Sequence, residues 1–249
     1  MEQPLHMMKW VTYFYERNSI NMKNKIIYIL VSALFLLSLF FYILSLQILP
    51  DTIPLQYGID NSITGWGSKN MLCIFLILEV MIIAIFIGTG YLYEKMNANE
   101  NEVIKVKKSR HILNIICLVV LALENVLFMY TIFYSYYVTV LKHTDISISI
   151  MTLSCFLIGI LFIFLGVLMR KTKKNYLVGI RNKSAMQSDI TWKKAQNISS
   201  YIFVIGGCIL IIMNIFIPES MKLCSLVLVP VLTIVICLVS CNMYIRHNR

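Results

Sequence analysis

Residues 147–169 read Ser147-Ile148-Ser149-Ile150-Met151-Thr152-Leu153-Ser154-Cys155-Phe156-Leu157-Ile158-Gly159-Ile160-Leu161-Phe162-Ile163-Phe164-Leu165-Gly166-Val167-Leu168-Met169, without a single charge. As a helix rising 1.5 Å per residue, this stretch is roughly 35 Å long, enough to cross a hydrocarbon core of about 30 Å. A helix is the economical choice, because it satisfies its own backbone hydrogen bonds inside lipid. Five further apolar blocks stand at about 26–48, 71–93, 111–137, 199–217 and 223–245, and none shows the strict alternation of a membrane barrel strand. The composition agrees: 59% hydrophobic, 14% charged, mean hydropathy +0.77. A soluble domain of 249 residues needs far more polar surface than this. The sequence therefore predicts an all-α polytopic membrane protein with about six transmembrane helices and the lipid bilayer as its first partner. It divides into an N-terminal tail (1–25), two helices with their connecting loop (26–110), and a four-helix membrane region (111–249).

The first block is too long for the core of a signal peptide, and no small-residue cleavage site follows it, so it is read as an uncleaved span. Ahead of it lies an aromatic-rich stretch with Trp10, Tyr13, Phe14 and Tyr15. That stretch is read first as a mobile tail, or as sequence preceding a start at Met22. The other reading is a helix lying on the membrane surface.

Lys and Arg alternate sharply between connections. The tail holds Lys9, Arg17, Lys23 and Lys25; the second loop Lys95, Lys105, Lys107, Lys108 and Arg110; the fourth Arg170, Lys171, Lys173, Lys174, Arg181, Lys183, Lys193 and Lys194; the C-terminus Arg246 and Arg249. The other three connections hold only Lys69, Lys142 and Lys222. By the positive-inside rule both termini and the second and fourth loops are cytoplasmic, and the span count is even. The net charge of +10 is then mostly a property of the cytoplasmic face, where it attracts anionic lipid headgroups. Direct nucleic-acid binding is not expected, because no basic–aromatic module is present.

The seven Cys lie in or beside apolar blocks with no C-x-x-C pair, and they read as small hydrophobes. Cys237 and Cys241 share a helix face without a third ligand, so no metal is expected. His6, His111, His143 and His247 are scattered, and no metalloprotease, nucleophile-elbow or phosphate-loop motif occurs. Neither an enzyme nor a cofactor is expected.

The connection after the first block is dense in Pro and Gly. Pro50 ends the helix, Pro54 keeps the chain extended, and Gly58, Gly65 and Gly67 permit turns. Tyr57 and Trp66 suit the bilayer interface, and Lys69 is placed to cap the return into the second span. The loop is read either as a rigid hairpin spacing two helices or as a ligand-facing lid. Asp51 and Asp60 give it a net negative charge suited to a cationic or amphipathic peptide. In the fourth loop, Ser188 or Asp189 is a plausible N-cap for a helix over about 190–217 that is longer than the bilayer core. Arg181 could bind a headgroup phosphate, a helix C-terminus or an acidic partner, and the bland reading is an interfacial anchor.

Glu79, Glu124 and Asn125, with Asn114 and Asn214, fall inside spans. Ionisable groups there are costly and normally face the bundle interior. Glu79 and Glu124 both come to mid-depth; facing carboxyls would hold at least one proton, since low polarity and like charge disfavour two ionised groups. One reading is a neutral Glu bonded to a neighbouring helix, and the other is a proton- or ion-coupled site.

Leu49, Pro50, Ile53, Pro54, then Trp66, Gly67, Ser68 and Lys69, followed by Asn175, Gly179, Ile180, Arg181, Trp192, Gly206 and Gly207, together resemble the SdpI family, membrane immunity proteins against a secreted sporulation-delaying peptide toxin. Gln56 stands where the family pattern has His, Gly58 where it has Asn, and Asn61 where it has Gly. Asn182-Lys183-Ser184-Ala185 replaces a Thr-Pro-Trp-Thr run, and Ala195-Gln196 replaces Thr-His. The resemblance implies a bacterial cytoplasmic-membrane protein giving toxin resistance. Pro50, Asp51, Pro54, Gln56, Trp66, Gly67 and Lys69 would meet a secreted antimicrobial peptide outside. Asn175, Gly179, Arg181 and Trp192 would present a cytoplasmic surface to a transcriptional repressor. The competing reading is a small transporter using Glu79 and Glu124.

Overall fold

Six apolar blocks become six helices, and the places where the sequence cannot continue a helix set their ends. The computed structural model describes residues 3–58, 62–96, 103–142 and 148–247, with side chains described for 14–58, 62–96, 103–142 and 148–243. Asp60, Asn61, His143 and Arg249, singled out above, lie outside the described residues. So do Met1 as an alternative start and the side chains of His6, Lys9, Trp10, Tyr13, Arg246 and His247.

Helix α1 runs Gln3–Ile48, α2 Cys73–Met96, α3 Val103–Thr139, α4 Ile150–Met169, α5 Asp189–Phe216 and α6 Glu219–His247. All six are long and apolar enough to cross a membrane. Leu, Ile and Phe side chains cover their outer faces, with Leu36, Phe40, Ile77, Ile85, Ile212 and Val231 exposed, as expected where lipid is the solvent. Among the described residues the fold is all-α apart from one small hairpin.

Pro50 closes α1. β1 (Thr52–Tyr57) then pairs antiparallel with β2 (Ile63–Ser68), with irregular register around Gln56. A short 3-10 turn, Lys69–Leu72, capped by the Ser68 side chain, leads into α2. Ser149 caps α4 by accepting from the Thr152 amide. Of the two caps the sequence offered, Ser188 and Asp189, Ser188 caps α5, in a reciprocal box with Thr191.

The stretch read as a tail or as surface helix is instead the first part of α1 itself. The reason is tertiary. α1 and α3 are roughly 69 and 55 Å long, well beyond a bilayer core. Their excess lengths lie side by side on the face opposite the hairpin. Glu16 pairs with Lys108, Lys107 donates to Asn21 Oδ1 at 2.7 Å, and His111 Nδ1 meets Asn24 Oδ1 at 2.8 Å. These contacts give α1 partners from Glu16 to Asn24 that the sequence does not announce.

Packing divides the bundle in two. α1 and α2 pack on α3, and α4 and α6 pack on α5, with a lighter α3–α4 contact between the groups. The second group is built on small residues. Gly206 turns to α6, where an added Cβ would meet Thr233 Oγ1 at 2.3 Å; Gly207 turns to α4, where it would meet the Gly159 carbonyl oxygen at 2.5 Å. Adjacent glycines thus admit one neighbour on each side, which a single small residue cannot do.

Candidate functional site

The hairpin is fastened to the end of α3. Ile53 and Pro54 are wholly buried, and Ile53 sits with Leu49, Leu72, Phe128 and Ile132 in one apolar cluster. Tyr57 meets Tyr134 edge to face with ring centroids 5.3 Å apart, and its hydroxyl donates to the Pro54 carbonyl at 3.0 Å. Burial, with Tyr134 beside it, holds the Tyr57 phenol well above its ordinary titration range, so it stays a neutral donor. Lys69 faces back toward α1 and does not cap the second span. Its Nζ donates to the Leu49 carbonyl at 2.9 Å and lies 3.3 Å from Asp51 Oδ1, so it ties the loop's two ends together. Of the residues expected to face a ligand, Pro50, Asp51, Gln56 and Trp66 are exposed, and Pro54 is buried. Gly67 lies under Leu55, whose Cδ1 would be 2.4 Å from an added Cβ.

Below the hairpin, α3 carries polar groups into the first helix group. Ser38 Oγ donates to Asn125 Oδ1 at 2.7 Å, and Asn125 Nδ2 donates to Glu79 Oε1 at 3.2 Å and to the Leu121 carbonyl at 3.1 Å. Asn125 therefore bridges α1 to α2. Glu79 is 1% exposed, and its Oε2 has no partner among the described residues. Both carboxyl oxygens of Glu124 are likewise buried and unpartnered. The structure brings Glu79 and Asn125 together. Glu124 makes no bond to the Ser38–Asn125–Glu79 chain among the described residues.

On the opposite face, residues 170–188 form a loop held by side-chain bonds to backbone. Asn175 Oδ1 accepts from the Leu177 and Val178 amides, both at 2.7 Å, and its Nδ2 donates to the Lys173 and Val178 carbonyls. Trp192 is buried and its indole N–H donates to the Thr172 carbonyl at 3.0 Å. Gln196 takes the Ile180 amide on Oε1 at 3.2 Å and gives Nε2 to the Ile180 carbonyl at 2.9 Å. A side-chain amide holds donor and acceptor side by side, which is what a passing peptide unit requires. Gly179 adopts φ +111°, and an added Cβ there would lie 2.7 Å from Gln196 Oε1. Asn175, Gly179 and Trp192 therefore shape the loop from within. Arg181 is exposed and donates to the Tyr176 carbonyl. Arg170 stacks over the Tyr201 ring at 4.2 Å and donates to Ser200 Oγ at 2.9 Å, fixing the loop's start to α5.

Sequence reasoning missed two features. Ser38 gave no signal, since a hydroxyl in an apolar helix ordinarily back-bonds to its own carbonyls. The second is a polar cluster at the hairpin end of the other helix group. Lys222 Nζ lies 2.5 Å from Glu219 Oε1 and donates to Thr152 Oγ1 at 2.6 Å, while Ser149 Oγ donates to Glu219 Oε2 at 2.7 Å. Asn214 Nδ2 reaches the Thr152 carbonyl at 2.9 Å. The i,i+3 spacing of Glu219 and Lys222 was the available clue. Cys237 and Cys241 are buried, Cys241 Sγ being 3.2 Å from Ser199 Oγ. Among the described residues no group of three or more His, Cys, Asp or Glu side chains converges to hold a metal.

Comparison with known proteins agrees with this layout. Residues 171–243, the basic loop with α5 and α6, match the model of the SdpI/YfhL protein family. Residues 33–82, which span the end of α1, the hairpin and the first part of α2, match a domain of unknown function, DUF1648. No curated protein and no solved structure matches the chain. The two matches bracket α3 and α4 and contain the two motif regions whose scaffolds are described above. The chain is thus a multi-pass membrane protein with an SdpI/YfhL-family region at residues 171–243 and a DUF1648 segment at residues 33–82.

Proposed function

We propose that this protein is an SdpI-type immunity and signalling protein of a bacterial cytoplasmic membrane, protecting its host from a secreted peptide toxin. The match of the basic loop, α5 and α6 to the SdpI/YfhL family carries this reading. The hairpin face is taken as extracytoplasmic and the basic face as cytoplasmic, from the alternation of Lys and Arg. The exposed Pro50, Asp51, Gln56 and Trp66 offer a toxin peptide an aromatic, hydrogen-bonding and acidic surface on a scaffold bolted to α3. On the other side, exposed Tyr176 and Arg181, shaped from within by Asn175, Gly179 and Trp192, form the surface for a cytoplasmic repressor. No catalytic role is assigned. Expression in a toxin-sensitive bacterium followed by challenge with candidate peptides is expected to raise survival. Correct insertion with no protection against any of them counts against the reading.

A second reading, a small transporter, is favoured by one observation: the unpartnered carboxyl oxygens of Glu79 and Glu124 inside the first helix group. If this reading holds, changing both to Gln abolishes flux of the carried ion or solute in proteoliposomes while insertion is unaffected. Equal flux with and without the pair removes it.

A further inference from the structure

Two basic stretches far apart in the chain meet at one cavity of about 220 Å³. Lys105 and Lys108 come from the first turns of α3, and Lys171 and Lys173 from the connection just past α4. Ser109, His111 and Ile112 complete the lining. Bringing four ammonium groups together opposes their mutual repulsion. Glu16 answers Lys108 through an ion pair, whereas Lys171 and Lys173 have no acidic partner among the described residues. His111 Nδ1 is taken by Asn24, which leaves Nε2 as its ring nitrogen for another partner. Ser109 already donates to the Lys105 carbonyl at 3.0 Å, so its contribution is shape.

The cavity's depth and size narrow the occupant. It sits where α3 passes from the basic run Lys105–Arg110 to the apolar residues from Ile112 onward, the level of lipid headgroups. It is smaller than pockets that enclose a whole drug-sized ligand, about 300–1,000 Å³. It suits one compact anionic group whose remainder stays outside. Ile112 and the lysine stems supply an apolar edge along which an acyl-bearing group could leave. The cavity also lies on the seam between the two helix groups.

We propose that this cavity binds a phosphate group, chiefly that of an anionic phospholipid headgroup, and that the bound anion clamps the basic ends of α3 and α4 together. Compact positive pockets between transmembrane helices on the cytoplasmic side are suited to such headgroups. Lysine serves here as a point charge toward phosphate, with no need for the planar fork of arginine.

The test uses the full chain in nanodiscs of phosphatidylcholine with and without phosphatidylglycerol, and in detergent with inorganic phosphate. The variants are Lys105→Gln/Lys171→Gln/Lys173→Gln, a milder Lys171→Gln/Lys173→Gln, and Lys193→Gln/Lys194→Gln as an exposed basic control of equal charge change to the double. Native mass spectrometry counts retained lipid, and thermal unfolding reads stabilisation. The expected result is one phosphatidylglycerol retained by the native chain and the control, weakened roughly a hundredfold in the triple variant and by less in the double. Stabilisation of the native chain but not the triple variant by inorganic phosphate, without lipid retention, assigns the same site to a soluble anion. Equal lipid loss in the control and the double variant means diffuse surface attraction and overturns the proposal, as does no retention or stabilisation by either anion. If the triple variant does not fold, the double decides.

Discussion

Each half of this protein takes carboxyl groups out of water, and the two halves deal with them in opposite ways. In the α4–α6 group, Glu219 sits at a helix end with Lys222, Ser149 and Thr152 all turned to it. In the α1–α3 group, Glu79 and Glu124 lie deep in their spans, no ion pair reaches them among the described residues, and three of their four oxygens are bare. A satisfied cluster of the first kind joins helices. Groups of the second kind cost about 2.5–3.5 kcal/mol each on insertion scales, and it is their bare oxygens that motivate the transporter reading. The difference separates a structural polar site from a candidate working one better than residue type does.

Substitutions can break that contrast. The largest effect is expected from Lys222→Met, which strands Glu219: about 2 kcal/mol lost in thermal unfolding in detergent. That is below the usual 3–5 for a broken buried pair, because the Glu219 side chain remains about a third open. Asn125→Leu comes next, removing the bridge between Ser38 and Glu79 for about 1–2 kcal/mol on the same measure. Ser38→Ala is expected to cost about 0.6 kcal/mol, typical of interhelical bonds in membranes. Glu124→Gln is expected to be smallest, below about 0.5 kcal/mol, because neither carboxyl oxygen of Glu124 has a partner among the described residues to lose. A loss at Glu124→Gln exceeding that at Lys222→Met would reverse the assignment of the two sites.

What was legible in the sequence followed from local physics. Span length, the Pro50 stop, the Ser188 cap and the extent of α5 depend on residues within a turn or two of one another. The Asn175, Gly179 and Trp192 motif was visible, but not its inward orientation. That orientation follows from Thr172 and Gln196 presenting the matching groups. The extension of α1 ahead of its apolar block was hidden for the same reason, since Glu16 and Asn21 find their lysines on α3 far along the chain. Ser38 and Asn125 are 87 residues apart, and nothing local to either names the other. The hairpin stands between these cases: Pro and Gly marked a rigid loop, while its docking on Phe128 and Ile132 required the folded bundle.

The paired glycines of α5 have a mechanical consequence. With Gly206 against the Thr233 side chain on one side and Gly207 against the Gly159 carbonyl on the other, turning α5 about its long axis would drive a larger neighbouring residue into a side chain of α6 and the backbone of α4 at once. Axial rotation is the motion this geometry resists most. A slide or a tilt of α5 disturbs these two close contacts less than a turn does.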